Sequence, residues 1–185
     1  MPVAEATATL ADLARFAGKA ELIAGRIVPL IATGRWPNRI AARIFRSLDD
    51  FAEETGVGEA YTDNVGFAVP ELRSGRRSFS PDASYFRGPF PVNRMRFLEG
   101  PPTLAVEVRS EDDYGAAAEQ ALRDKRRDYF EAGTAVVWDV DPLRECIWVY
   151  RKDAPERPQQ LAAGDLGDAE PTLPGWRLRV EELFR

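Results

Sequence analysis

Three residues are of types that carry out metal-assisted chemistry. Asp82 follows Ser80-Pro81, Glu107 lies in an apolar run, and Lys125 falls in a later segment with helical periodicity. Two carboxylates on neighbouring strands can hold a hard divalent cation through their oxygens. A lysine beside them can orient a water molecule or offset negative charge that develops on a phosphate. The elements that carry these residues must bring them together for this chemistry to occur.

Glu107 stands in the middle of residues 104–108, a short apolar run that predicts a strand. Side chains alternate across a strand, so Glu107 shares a face with Ala105 and Arg109, opposite the fully apolar face. A carboxylate in this position belongs either to a solvated sheet face or to a functional cleft. The pattern alone leaves both interpretations open.

Lys125 lies in residues 115–132, which predict a helix. The lysine is central to an apolar stripe at helical spacing, formed by Ala118, Ala121, Leu122, Tyr129 and Ala132. Its ammonium could reach solvent along its own stem, or it could point across at the carboxylates of the preceding strands. The helix directly follows the Glu107 strand, which gives the second arrangement a simple geometry.

The composition excludes several kinds of site. The 185 residues include no histidine, which removes Ser-His-Asp and Cys-His catalysis and zinc sites that need imidazole. Gly56-Val57-Gly58 lacks the later glycine of a phosphate-binding loop. The single cysteine, Cys146, cannot form an internal disulfide, which agrees with a reducing cytoplasm. No secretory signal and no apolar run of about 20 residues is visible, so we expect a cytoplasmic protein without a membrane span.

The net charge of −5 argues against a protein that coats nucleic acid non-specifically. The basic residues are nevertheless clustered. Arg39, Arg43 and Arg46 follow one another at four and three residues along a predicted helix. Such a cluster fits either a solvated helix face or a surface that contacts backbone phosphates.

The pattern of elements predicts one α/β domain that spans residues 1–185. Thr9 is a plausible cap for a first helix, and a glycine-containing hairpin precedes a long helix that begins at Pro37. The predicted helices cover residues 10–16, 37–54 and 115–132, and a short amphipathic segment ends the chain at 180–184. The predicted strands cover residues 21–23, 26–31, 64–69, 82–87, 104–108, 135–140 and 145–151, and residues 154–167 are interpreted as loop.

The order helix, three strands, helix, strand, with Asp82 on the second strand and Glu107 on the third, resembles the core of the PD-(D/E)XK nuclease superfamily. The chain is more specifically similar to the Uma-two family, whose members are described as "putative restriction endonucleases". The resemblance follows the family order along nearly the whole chain. It is carried by residues 21–28, 80–85, 102–110, 125–129, 133–142 and 173–184.

This resemblance implies a restriction-endonuclease-like core with an N-terminal hairpin and a C-terminal extension. It implies that Asp82 and Glu107 bind the metal, Mg²⁺ or Mn²⁺, and that Lys125 is the lysine the family supplies from the helix. Glu21 resembles the N-terminal glutamate that completes the acidic cluster. The activity expected from these roles is hydrolysis of DNA phosphodiester bonds.

Three positions depart from the family pattern. Arg109 stands where the superfamily motif has its lysine, so it is either a cationic substitute or a structural residue. Ala24 replaces an acidic residue before the hairpin glycine, and Asn38 stands where many relatives have a histidine. The arginines assigned to phosphate contacts are Arg39, Arg43 and Arg109.

The sequence is compatible with two functions. The first is a metal-dependent endonuclease that binds DNA, and the second is a catalytically inactive nuclease-fold module for nucleic-acid or protein binding. A homodimer is expected because symmetric dimers are the commonest oligomers and a duplex offers two strands to two active sites. The aromatic connection at residues 86–97 is either its contact surface or core packing.

Overall fold

The computed structural model describes residues 7–185. Within them the helices are α1 (Leu10–Leu13), α2 (Arg35–Thr55) and α3 (Ala116–Ala132), with a 3-10 turn at Val180–Glu182. The strands are β1 (Ala20–Ile23), β2 (Arg26–Pro29), β3 (Glu59–Thr62), β4 (Phe67–Ala68), β5 (Ser78–Phe79), β6 (Ala83–Phe86), β7 (Leu98–Glu99), β8 (Leu104–Val108), β9 (Val136–Asp141), β10 (Cys146–Arg151), β11 (Gln159–Leu161), β12 (Leu166–Gly167) and β13 (Leu178–Arg179).

A six-stranded mixed sheet forms the centre of the fold, with strand order β11-β10-β9-β8-β6-β3. Strands β8 and β9 are parallel and are connected through α3, and the other pairs in this sheet are antiparallel. Val106 and its alternate neighbours pack with α2 in one buried cluster, and Ala105 packs with Tyr129 of α3 in another. The predicted alternation along β8 is therefore confirmed, and Glu107 faces α3.

Helix α2 covers one face of the sheet. Its buried residues Ile40, Ile44 and Leu48 recur every four positions, which produces one continuous apolar face. Pro37 lies in the first turn, where its missing N–H costs no hydrogen bond. Gly56 ends the helix in the left-handed conformation with φ 64°.

Ala24 and Gly25 form the two-residue turn between β1 and β2. Both residues have positive φ, which a two-residue turn needs if its twist is to match that of the strands. The hairpin is attached to the segment before β5. The Ala24 N–H donates to the Gly75 carbonyl at 2.8 Å, and the Arg77 N–H donates to the Leu22 carbonyl at 2.8 Å. These bonds, with an antiparallel bridge between Ile23 and Arg76, place β1 beside residues 75–77.

Helix α3 packs on the other face of the sheet mainly through its C-terminal half. Tyr129 is fully buried and stacks on Phe79 with ring centroids 4.1 Å apart. The predicted apolar stripe is only partly right, because Ala121 is exposed, whereas Asp128, which lies outside the stripe, is buried. The reason is an ion pair between Asp128 and Arg76, a partner that helical periodicity cannot reveal.

Several strands lie outside the predicted ranges. The first core strand is β3, at Glu59–Thr62, and the predicted strand at 64–69 contains only the short β4. Strand β3 is an edge strand with one buried side chain, Ala60, so it lacks the apolar pattern of a central strand. The predicted loop at 154–167 contains β11 and β12, and α1 ends at Leu13 instead of residue 16.

Candidate active site

Asp82 and Glu107 are brought together by the pairing of β6 with β8. Ala83 pairs with Val106 in the antiparallel register, and the Asp82 N–H donates to the Val106 carbonyl at 3.0 Å. One step further along this register, Asp82 stands opposite Glu107, so both side chains lie on the α3 face. The Val108 N–H fixes the Asp82 carboxylate by donating to Oδ2 at 2.8 Å.

Glu107 is held by two side chains of α3. The Tyr129 hydroxyl donates to Oε1 at 2.6 Å, and the Lys125 ammonium lies 2.9 Å from the carboxylate. Burial raises the pKa of Glu107, and the charges of Asp82 and Glu21 add to this rise, against the opposing effect of Lys125. The pKa of Glu107 is therefore raised first by burial and only then by the neighbouring carboxylates.

Lys125 lies between two carboxylates instead of reaching solvent. Its Nζ is 2.9 Å from Glu107 and 3.3 Å from Glu21 Oε1, and its side chain is 17% exposed. Burial alone would lower the pKa of Lys125, but Glu107 and Glu21 outweigh it and hold that pKa above the ordinary value. The ammonium therefore remains charged at neutral pH.

Glu21 lies in strand β1 of the hairpin, where it is buried, and its carboxylate makes three contacts. Its carboxylate accepts from the Ser80 N–H at 3.0 Å and forms ion pairs with Arg76 and Lys125. Burial would raise the pKa of Glu21, but Lys125 and then Arg76 lower it below the ordinary value. Glu21 thus connects Lys125 to the structural ion pair between Arg76 and Asp128, whose atoms are 2.8 Å apart.

Replacing Arg76 with methionine is expected to lower the free energy of unfolding by about 3–5 kcal/mol. The substitution leaves Glu21 and Asp128, both buried, without their shared cation. Arg73→Met is the matched control, because Arg73 is exposed and its pair with Glu131 should contribute at most about 1 kcal/mol. Urea denaturation of the two variants and the wild type measures the difference, and equal losses would contradict the structural role of Arg76.

Lys19 is a site residue that the sequence interpretation missed. Its Nζ lies 3.1 Å from Asp82 Oδ1 and also pairs with Asp63. Asp82, and less strongly Asp63, keep the pKa of Lys19 above its ordinary value although burial opposes them. The available signal was its position two residues before Glu21, since alternate residues of a strand share a face.

The three arginines assigned to phosphate contacts lie in different settings. Arg39 is exposed on α2. Arg43 of the same helix donates to the Leu183 carbonyl at 2.6 Å, which ties α2 to the end of the chain. Arg109 is buried and donates to both oxygens of Asp139, at 2.7 and 2.9 Å. Arg43 and Arg109 are thus engaged in internal contacts, whereas Arg39 has an exposed side chain.

The carboxylates Glu21, Asp82 and Glu107 and the lysines Lys19 and Lys125 line a cleft of about 1120 Å³. Asp82, Glu107 and Lys125 lie on one side of it, and its other walls come from the hairpin, the start of α2 and the N-terminal half of α3. Trp36 and Leu122 contribute apolar surface. The cleft is open to solvent and large enough to admit part of a polynucleotide chain.

The charges of the site suit a divalent cation. The connected ionic groups number five carboxylates and three cations, which leaves two negative charges when all are ionised; they are Glu21, Asp63, Asp82, Glu107 and Asp128 with Lys19, Arg76 and Lys125. No group of three or more ligand-type side chains in residues 7–185 is arranged around a common point. Mg²⁺ commonly binds through one or two carboxylates, with water and substrate phosphate completing its shell. The pair Asp82 and Glu107 fits that mode.

A comparison with protein families shows the family to which the chain belongs. A family model described as "Putative restriction endonuclease", Uma2, matches residues 9–181. The chain belongs to the Uma2 family. This confirms the family expected from the sequence segments.

A solved structure shares the fold of this Uma2 chain. It is a crystal structure of a "putative nuclease" of the DUF820 group from Anabaena variabilis, with 19% sequence identity and a TM-score of 0.75. The match covers 95% of this chain and 97% of the other. The predicted restriction-endonuclease-like α/β fold is thereby confirmed. A search of curated proteins finds no match. In residues 7–185 no helix is long and apolar enough to cross a membrane.

Proposed function

We propose that this Uma2 chain is an endonuclease that hydrolyses DNA phosphodiester bonds with Mg²⁺ or Mn²⁺. The observation that carries the proposal is the placement of Asp82 opposite Glu107 on two paired strands, with Lys125 bound to Glu107, in an open cleft. The family description and the shared nuclease fold support the same function.

Asp82 and Glu107 would hold the metal ion through their carboxylate oxygens. A bound divalent ion lowers the pKa of a water ligand and polarises a phosphoryl oxygen. The protein prepares both carboxylates for this role: the Val108 N–H orients Asp82, and the Tyr129 hydroxyl orients Glu107. Each carboxylate therefore already has a fixed orientation before an ion arrives.

Lys125 would stabilise negative charge that develops on the phosphate or position the attacking water. Its ammonium is held in advance by Glu107 and Glu21, so no reorganisation is needed when the charge develops. Glu21 is a positioning residue in this scheme, because it acts through Lys125 and is itself almost fully buried.

Exposed arginines of α2 would contact the DNA backbone. Arg35 lies at the cleft and Arg39 follows one turn later on the same side of the helix. Neither contact carries sequence information, because phosphate contacts position a duplex without reading its bases.

We also propose that the protein acts as a symmetric dimer through the connection at residues 87–97. Val92 and Met95 of this connection are large apolar side chains exposed to solvent, whereas Phe86 before it is buried. Static light scattering at micromolar concentration should give twice the mass of 20.6 kDa. Val92→Glu should restore the monomer, and a monomeric wild type would contradict the dimer.

Calorimetric titration with Mg²⁺ and Mn²⁺ tests the metal-binding step. Wild type should bind one ion, and Asp82→Ala should bind at least about tenfold more weakly, because a hard cation loses a carboxylate ligand. If the wild type binds DNA but neither ion, a nuclease-fold binding module would replace the endonuclease proposal.

A further inference from the structure

Lys19 is the cation closest to Asp82 in the structure. Its Nζ is 3.1 Å from Asp82 Oδ1 and also forms an ion pair with Asp63. The lysine begins the hairpin, where its carbonyl accepts the Leu30 N–H at 2.9 Å, so its backbone is fixed. The ammonium is consequently held at the cleft by two carboxylates, at the end of a flexible side chain that starts from a fixed backbone.

The two oxygens of Asp82 are occupied differently. Oδ2 accepts the Val108 N–H, a bond to the backbone of the sheet. Oδ1 accepts a hydrogen bond from the Lys19 ammonium, and both residues line the cleft. A metal ion on Asp82 would use the oxygen that the backbone leaves free, and there it meets the positive charge of Lys19. Two cations on one carboxylate repel each other, and in a partly buried site that repulsion is poorly screened.

We propose that Lys19 is a positioning residue that acts as the resident counter-ion of Asp82 and is displaced toward Asp63 when a divalent cation binds. This inference rests on the proposed function, because the ion is the one assigned there to Asp82 and Glu107.

Asp63 is a suitable second partner for the displaced ammonium. It already contacts Lys19, and its side chain is 37% exposed whereas that of Asp82 is 19% exposed. Lys19 can therefore give up Asp82 without losing every anionic contact or leaving the cleft. Its charge offsets Asp82 before the ion arrives and lowers the apparent affinity for that ion.

Mn²⁺ affinity, measured by the electron paramagnetic resonance signal of free Mn²⁺, tests the displacement directly. Lys19→Met and Lys19→Gln should each bind Mn²⁺ about tenfold more tightly than wild type, because the competing charge is gone. Lys19→Arg should bind like wild type or more weakly. Lys152→Met is the matched control, since Lys152 is exposed at the end of β10, and should change nothing.

Thermal unfolding in EDTA tests the counter-ion role without metal or activity. Lys19→Met should lower the melting temperature, and the loss should shrink in an Asp82→Asn background because the partner charge is absent. Unchanged or weaker Mn²⁺ binding by both neutral Lys19 variants would overturn the inference, as would fully additive losses with Asp82→Asn.

These outcomes separate the inference from the proposed function. Tighter Mn²⁺ binding by the neutral Lys19 variants, with no DNA cleavage by any form, would sustain the inference and reject the endonuclease. DNA cleavage by the wild type, together with a Mn²⁺ affinity that the Lys19 substitutions leave unchanged, would reject the inference and sustain the endonuclease.

Discussion

Lys125→Met is expected to abolish divalent-ion-dependent DNA cleavage and to lower the free energy of unfolding by about 3–5 kcal/mol. The catalytic loss, about a thousandfold or more, follows from removing a charge placed in advance for the transition state. The stability loss follows because Glu107 and Glu21 remain buried without their shared ammonium.

The two effects of Lys125→Met need separate measurements. Urea denaturation gives the stability, and cleavage is compared at a temperature where more than nine-tenths of each protein is folded. Lys152→Met makes the same chemical change at an exposed position and should preserve both properties. Cleavage by folded Lys125→Met at the wild-type rate would remove Lys125 from the mechanism, and unchanged stability would contradict its burial between carboxylates.

Asp82→Asn is expected to reduce cleavage by about a thousandfold while the fold is retained. Asparagine keeps the shape of the side chain and an oxygen that can accept the Val108 N–H. It removes the charge that would hold the metal ion, which contributes several kcal/mol of transition-state stabilisation. The defect should appear in kcat and in Mn²⁺ affinity, whereas binding of DNA without metal should persist.

A second acidic residue of the cleft provides the control for Asp82→Asn. Asp112 lines the same cleft and is exposed, so Asp112→Asn changes the local charge by the same amount without touching the paired strands. Its cleavage rate should stay within about threefold of wild type, in line with a screened surface charge. Equal defects in both variants would mean that general charge, and not metal ligation, explains the result.

The face of β8 could be predicted from sequence because strand alternation has a fixed period of two. Leu104, Val106 and Val108 pack against α2, and Ala105 packs against α3, as the pattern indicates. The position of Glu107 relative to Asp82 could not be derived in the same way. It depends on the register between β6 and β8, which the long connection through residues 87–103 does not specify.

The local sequence pattern could not predict which charged residues form ion pairs in the site. Lys19 and Asp82 are 63 positions apart, and Arg76 and Glu21 are 55 apart. A single sequence gives charges but not the tertiary pairing that buries them, so Asp128 looks solvated and Lys19 looks unremarkable. Only the spacing of Lys19 from Glu21 could have indicated a shared face of the hairpin.

Clustered arginines were the least informative pattern. Arg43 sits in a row of basic residues, yet it binds carbonyls at the end of the chain. Arg109 occupies a motif position, yet both oxygens of Asp139 engage it inside the fold. Arginine has five donors and a fixed planar shape, so it serves internal architecture as readily as phosphate binding.

Metal-dependent catalysis at Asp82 and Glu107 is best tested by cleavage of supercoiled plasmid DNA with purified wild type and Glu107→Gln, each with Mn²⁺ and with EDTA. The glutamine oxygen can still accept a hydrogen bond from the Tyr129 hydroxyl. The variant therefore removes the charge of the ligand and keeps the shape of the side chain. We expect nicked and linear DNA from wild type with Mn²⁺, and intact plasmid from wild type in EDTA and from Glu107→Gln under both conditions. Cleavage by Glu107→Gln at the wild-type rate, or no cleavage by wild type with Mn²⁺, would contradict this expectation.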